Sequence, residues 1–193
     1  MSSSSTSSSE STPSSRPTST GGFTDVLLQR GAARVIALDV GYGQLHSKIR
    51  DDPRVTVLER VNARSITELP FAPQLVTCDV SFISVKLALP PALALAAPGW
   101  RALVLVKPQF EVGKGETRRG VVRDPEVRRR VLREFSAFAA GLGAVVLGVC
   151  DSCVPGPAGN REYVVDLAAA GHPAAQEREP DVERAIADAV ASA

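Results

Sequence analysis

Between Gln74 and Glu111 the chain reads Leu75-Val-Thr-Cys-Asp79, then Val80-Ser-Phe-Ile-Ser84, a helical stretch, and Leu103-Val-Leu-Val-Lys107-Pro108. Each half is an apolar, β-rich run closed by one ionisable residue, the pattern of buried parallel strands that deliver a side chain to the carboxyl edge of a sheet. Ligands bind at that edge in open α/β sheets. Asp79 and Lys107 are therefore candidates for a shared site, although a strand-end salt bridge would use the same pair.

Working outward, Arg34-Val-Ile-Ala-Leu-Asp39 is a second strand that ends in an acid, and Val55–Leu58 is a short third. Tyr42–Arg50 reads as a helix, and Asn62-Ala-Arg64 as a polar turn. Thr20-Gly-Gly-Phe-Thr-Asp25 opens a helix that stops at Gly31. Leu87–Ala97 is helical and closed by Pro98-Gly99. Asp124-Pro-Glu126 is a strong helix start, and Val127, Val131, Phe135, Phe138 and Leu142 follow it at helical spacing. Ala144–Val149 and Tyr163–Leu167 are the last strands. Their short Pro/Gly connection predicts an antiparallel strand at one edge of the sheet. The alternation of strands and helices predicts βαβ units and a mostly parallel, Rossmann-like sheet. Such sheets begin with a strand, and here the first helix has none before it.

The chain has 193 residues, 44% of them hydrophobic, and a net charge of +1. With a mean hydropathy of +0.04, it has room for one ordinary domain with a proper core. Any nucleic-acid surface must be local rather than global. No apolar run is long enough to span a bilayer, and the start lacks the apolar region of a secretory signal. Residues 1–20 hold eleven serines, four threonines and two prolines, a composition that predicts disorder. Being Ser-rich and acid-poor, this start is weakly compatible with an organellar transit peptide; a cytoplasmic location is the simpler expectation. Cys150 and Cys153 form a C-x-x-C, but no second ligand pair completes a zinc site. Val154-Pro-Gly-Pro157 cannot open the helix a redox pair uses, so reduced thiols are expected.

Six blocks, Thr20-Gly-Gly-Phe-Thr-Asp25, Ala37-Leu-Asp-Val-Gly-Tyr-Gly-Gln-Leu45, Asp79-Val-Ser-Phe-Ile-Ser84, Val106-Lys-Pro-Gln-Phe-Glu111, Gly120-Val-Val-Arg-Asp-Pro125 and Gly156-Pro-Ala-Gly-Asn-Arg-Glu162, occur in an order that resembles the TlyA family. These are ribosomal RNA ribose 2′-O-methyltransferases, often labelled haemolysin A, with an FtsJ/RrmJ-like methyltransferase fold. The resemblance covers about residues 20–168, leaving 1–19 as a disordered leader and 169–193 as a flexible tail. It implies S-adenosylmethionine as methyl donor, ribosomal RNA or ribosomal subunits as partner, and neither a metal nor a membrane. It also implies a Lys-Asp-Lys-Glu catalytic set, of which Asp79, Lys107 and Glu162 are present. Cofactor contacts fall at Thr20, Gly21, Gly22, Phe23, Asp39, Val40, Asn62 and Ala63.

The residue types suit that chemistry. Two glycines let backbone approach a ligand at a helix N-terminus, and an acid closing a strand can accept ribose hydroxyls. Methyl transfer needs an oxygen placed in line and stripped of its proton. Taken without the resemblance, Glu162 reads more readily as a surface acid beside Arg161. Lys114, Arg118, Arg119 and Arg123 lie in a glycine-rich loop opposed by Glu116 alone, and Arg128, Arg129 and Arg130 extend its basic face. Such a loop can neutralise phosphates, or it is simply a solvated charged face.

Two family parts are absent from this sequence: a small N-terminal RNA-binding domain, and the segment that carries the first lysine and a first, central strand. The serine run cannot replace that strand, having no β-branched apolar face. The strands ending in Asp39 and Asp79 must then pair with each other or leave backbone groups unpaired. A lone lysine between two carboxylates is expected to keep its proton. Little or no turnover is therefore expected, with a non-catalytic module binding RNA or an adenosyl ligand as the alternative. A nicotinamide-dependent dehydrogenase fits the sheet but lacks G-x-G-x-x-G and leaves Lys107 and Glu162 idle.

Overall fold

The structure, a computed structural model, describes residues 21–41, 45–113, 115–177 and 181–193. Its elements are α1 (Gly22–Gln29), β1 (Val35–Asp39), α2 (Ser47–Arg50), β2 (Val55–Glu59), a 3-10 turn (Ala63–Ser65), β3 (Leu75–Cys78), α3 (Val85–Ala94), β4 (Arg101–Val106), α4 (Pro108–Glu111), α5 (Pro125–Gly141), β5 (Ala144–Asp151), β6 (Tyr163–Ala169), α6 (Pro173–Gln176) and α7 (Val182–Ala191). The helical reading of 42–50 shortens to α2, because His46 is extended and caps it, its Nδ1 accepting from the Lys48 N–H at 3.2 Å. Residues 42–44 lie outside the described residues, as do the leader and Thr20.

The strands form two sheets. β1 and β2 pair in parallel as one, and the other runs β3-β4-β6-β5. β3 and β4 are parallel, and β6 is antiparallel to both β4 and β5. β3, β4 and β5 therefore share one direction, as a Rossmann-like sheet requires. The antiparallel strand corrects the expectation of an edge position: β6 lies inside the sheet, between β4 and β5. Tyr163, Val165, Leu167 and Ala168 of β6 are fully buried, and an edge would not shelter that run. Neither of the two strands that lack the first strand's support pairs with the other. Among the described residues, β1 and β3 each keep one edge unpaired.

The large core is built on β4 and β6, with α3 supplying Val85 and Leu89 and α5 supplying Val131, Leu132 and Phe135. The α5 start at Asp124 forms as read, its carboxylate accepting from the Glu126 N–H. The expected stripe shifts, however, since Leu142 at its end is exposed and Leu132 and Ala139 are buried instead. The segment expected as a flexible tail is also corrected. α7 packs on α5 and β5, and Ile186, Ala189 and Val190 join the large core. Their i, i+3, i+4 spacing is a buried helical stripe hidden in an Ala- and Glu-rich composition.

Candidate active site

The carboxyl ends of β3 and β4 place Asp79 and Lys107 side by side. The Lys107 ammonium lies 2.6 Å from Asp79 Oδ1 and 4.0 Å from Glu162 Oε2, and donates to Ser81 Oγ at 3.0 Å. Glu162 immediately precedes β6, whose first residue, Tyr163, is opposite Val106. The antiparallel register is thus what carries a residue 55 positions downstream to the lysine. The Glu162 carboxylate is not the surface acid that its neighbour Arg161 suggested: the residue is 8% exposed. Arg161 instead faces Asp151 at 3.8 Å.

Three contacts that sequence reasoning missed hold this group together. Gln109 Nε2 donates to Glu162 Oε1 at 3.1 Å. A Cβ on Gly156 would stand 2.7 Å from that same oxygen, so a larger residue there would push the Glu162 carboxylate aside. Asn160, buried, accepts from the Val122 N–H at 3.0 Å and donates to the Gly120 carbonyl at 2.9 Å. It ties the basic loop to the segment that carries Glu162. On the other side, Glu111 accepts from Ser84 Oγ and the Val85 N–H at 2.6 and 2.7 Å. That carboxylate caps α3 from outside and starts it two residues earlier than local sequence suggests. Phe82 stands 88% exposed with φ +66° and packs on Phe110, ring centroids 5.2 Å apart. An exposed aromatic held in a left-handed backbone is unusual, and no pattern in the sequence announces it.

The expected cofactor residues line the neighbouring edge. Asp39 closes β1; its Oδ1 accepts from the Gly41 N–H at 2.7 Å, and its buried Oδ2 has no partner among the described residues. That orphan acceptor at a strand's carboxyl end is what a ribose hydroxyl would satisfy. Gly21, at φ +123°, caps α1 where a Cβ would meet Leu45 and Ile49 at 3.0 Å. Gly22 opens onto free space and Val40 is exposed. Phe23 is half-buried. Asn62 spends its side chain on the Arg64 N–H, and Ala63 lines a cavity of about 590 Å³ between β1 and β3. The residues present fit an adenosyl ligand at its ribose end; Thr20 lies outside the described residues.

The basic loop divides. Arg118, Arg119 and Arg123 are exposed, and no acid pairs with them among the described residues. Lys114 lies outside the described residues. Arg128, Arg129 and Arg130 do not extend that face. Arg128 is buried against the Tyr163 hydroxyl and the Arg123 carbonyl, Arg129 pairs with Glu126, and Arg130 pairs with Glu116. The Arg130 guanidinium holds the Glu116 carboxyl below its usual range. Of the thiols, Cys150 and Cys153 are exposed and free. Burial beside Asp79 pushes the Cys78 thiol up to about 12. Among the described residues no cluster of acids, thiols or imidazoles could hold a metal ion.

Residues 18–169 match the FtsJ-like methyltransferase family. The chain belongs to that family. Over 152 residues it is 51% identical to the 16S/23S rRNA (cytidine-2′-O)-methyltransferase TlyA of Mycobacterium tuberculosis, a match that spans 77% of this chain and 57% of that protein. A solved hemolysin-named protein from Streptococcus thermophilus superposes with a TM-score of 0.82 at 39% identity, covering 90% of this chain and 62% of the other. A methyltransferase structure from Aquifex aeolicus, at 15% identity and a TM-score of 0.51, covers 79% of this chain and 78% of its own, and shares the fold alone. The chain thus spans little more than half the length of the curated relatives it matches.

Proposed function

We propose that this chain carries the methyl-transfer domain of an enzyme that modifies ribose 2′-hydroxyls of ribosomal RNA, and that as written it turns over slowly. The observation that carries the reading is the meeting of Lys107, Asp79 and Glu162 at one sheet edge, with Asp39 closing β1 in the other sheet. S-adenosylmethionine, when bound, supplies an electrophilic methyl group. Asp39 would hold its ribose, with Gly21, Gly22 and Phe23 at the start of α1, Val40 beside Asp39, and Asn62 and Ala63 on the adenine side. Lys107 is the group positioned at the ribose hydroxyl; it receives the hydroxyl proton only after giving up its own, and Asp79 and Glu162 orient the amine. Phe82 offers an open aromatic face to a base at the mouth of the site. Arg118, Arg119 and Arg123, with Lys114, suit an RNA backbone, and residues 20–168 form the unit that does the work, in the cytoplasm.

Slow turnover is expected because nothing among the described residues bridges β1 and β3. Asp39 and the lysine cluster then stand on separate sheets, and their separation is not set by a hydrogen-bonded ladder. Catalysis by positioning is sensitive to such looseness. The test is transfer of a labelled methyl group to ribosomal RNA and to isolated subunits. This chain is run beside one extended by an apolar strand ahead of Gly21, and beside Glu162→Gln. Restored transfer that Glu162→Gln abolishes is the expected result, and equal rates with and without the strand overturn the impairment. The same empty ladder position favours a second reading, a module that binds an adenosyl ligand without chemistry. Calorimetric binding of S-adenosylmethionine, with no transfer from either chain, would establish it.

A further inference from the structure

Among the described residues the Lys107 amine has three partners, and they differ in kind. Asp79 Oδ1 stands 2.6 Å away, and Ser81 Oγ accepts from the amine at 3.0 Å. Glu162 Oε2, at 4.0 Å, lies beyond hydrogen-bond reach and acts by charge alone. The other Glu162 oxygen is taken by Gln109. An ionised carboxylate only accepts, so both acids favour the ammonium. A hydroxyl accepts and donates. Ser81 is thus the one partner that suits the amine in either state, accepting from the ammonium or turning its own O–H to the neutral lone pair.

Ser81 also stands between the amine and solvent. The Lys107 side chain is 11% exposed, whereas Ser81 is open. The segment that carries the hydroxyl is pinned at both ends, Asp79 by Lys107 and Ser84 by Glu111 at 2.6 Å. Its distance from the amine is therefore not left to a loose loop.

We propose that Ser81 is a positioning residue for Lys107 and the exit for its proton. The inference rests on the reading of Lys107 as the group that takes the ribose hydroxyl proton. Each methyl transfer leaves one proton on the amine, and it must depart before the next. In that step an Nζ–H bond breaks and its proton passes to Oγ, while the Oγ–H proton passes to a solvent water. The ammonium becomes an amine, the hydroxyl is restored, and one hydronium enters solvent. Asp79, although its side chain is the more exposed, is the poorer exit. It would have to hold the proton as a carboxylic acid, roughly a millionfold stronger an acid than an ammonium at ordinary values.

The readout is the ζ-ammonium resonance of Lys107 in the full chain with isotope-labelled lysine, assigned by its loss in Lys107→Arg. Its hydrogen exchange with water is measured at fixed pH. Ser81→Ala should slow that exchange by about tenfold or more, a modest share of what a positioned proton-transfer group contributes. Ser81→Thr, which keeps the hydroxyl and adds a methyl at an open position, should restore it. Lys86, paired with Glu134 at 3.7 Å, should exchange alike in every variant. Unchanged or faster exchange in Ser81→Ala overturns the proposal, since water then reaches the amine unaided. Slowing that Ser81→Thr does not reverse overturns it as a change of packing. Asp79→Asn removes a charge that holds the ammonium and should speed exchange; any slowing there makes the carboxylate the exit and overturns the proposal. No methyl group moves in this measurement, so it is independent of the transfer assay. Slowed exchange with no transfer from the strand-extended chain fails the enzymatic reading and leaves the proton path; transfer with unslowed exchange does the reverse.

Discussion

In β4 and β6 the residues Ala102, Val104, Val106, Val165 and Leu167 are shut off from solvent completely, whereas β1 and β2 contribute only Val35 and Ala37 as buried residues. The large core gathers three helices and four strands; the small one consists of Ala37, Leu45 and Ile49, with Val55 and Val57 packed at its side. The difference lies in neighbours rather than propensity, because β1 reads Val-Ile-Ala-Leu-Asp and is as β-prone as β4. A strand paired on both sides buries its inward-facing residues completely, as the alternating burial of β4 shows. Among the described residues β1 and β2 form a two-stranded ribbon, and such a ribbon is marginal. The lysine cluster thus sits on the rigid half of the molecule and the expected ribose-binding acid on the weak half.

The largest expected effect separates the two cores. Phe135→Ala should cost about 3–5 kcal/mol in denaturant unfolding of the whole chain, while Ile49→Ala should cost about 2 kcal/mol and accelerate exchange in β1 and β2 alone. A common unfolding transition shifted equally by both would show one cooperative unit instead of two.

Lys107→Ala should follow, at about 3 kcal/mol, because it strands the buried Glu162 carboxylate; Asp79→Ala, at the more open side of the pair, should cost about 1 kcal/mol. The side-chain exposures of 11% for Lys107 and Glu162 against 44% for Asp79 set that order. Thermal melts of the two variants check it, and a reversed order would move the weight of the cluster to Asp79.

Gly156→Ala should cost about 1–3 kcal/mol by forcing Glu162 aside, a penalty that a second change, Glu162→Ala, should largely remove. Additive losses in that double-mutant cycle would place the strain elsewhere.

The smallest effect belongs to the weak half. Asp52 accepts from the Arg54 side chain and backbone, which holds its carboxyl at about 2 against an ordinary 3.8. Because the folded value is depressed, this contribution is complete above about pH 4 and fades as pH falls from there through 2. A carboxyl-carbon NMR titration with its inflection near 3.8 would remove Asp52 from what fixes the Arg54 guanidinium, which donates to the Leu28 carbonyl of α1 at 3.2 Å.

Much of this protein was legible before any coordinates, and the reason is local. An apolar run ending in Asp79 or Lys107 is a buried strand with a charged tip wherever it folds, and Asp124-Pro-Glu126 caps a helix with its own atoms. The resemblance of six short blocks supplied the family for the same reason, since each is a few contiguous residues. Other features depended on partners far along the chain. Glu162 is buried because β6 threads between β4 and β5, Arg128 is buried because Tyr163 arrives beside it, and α7 is ordered because β5 and α5 offer it a surface. Sequence alone determined which strands exist and what each carries at its tip. Only the tertiary structure decided which tips meet and which strands pair, because strand pairing is a contest among distant segments that no local pattern records.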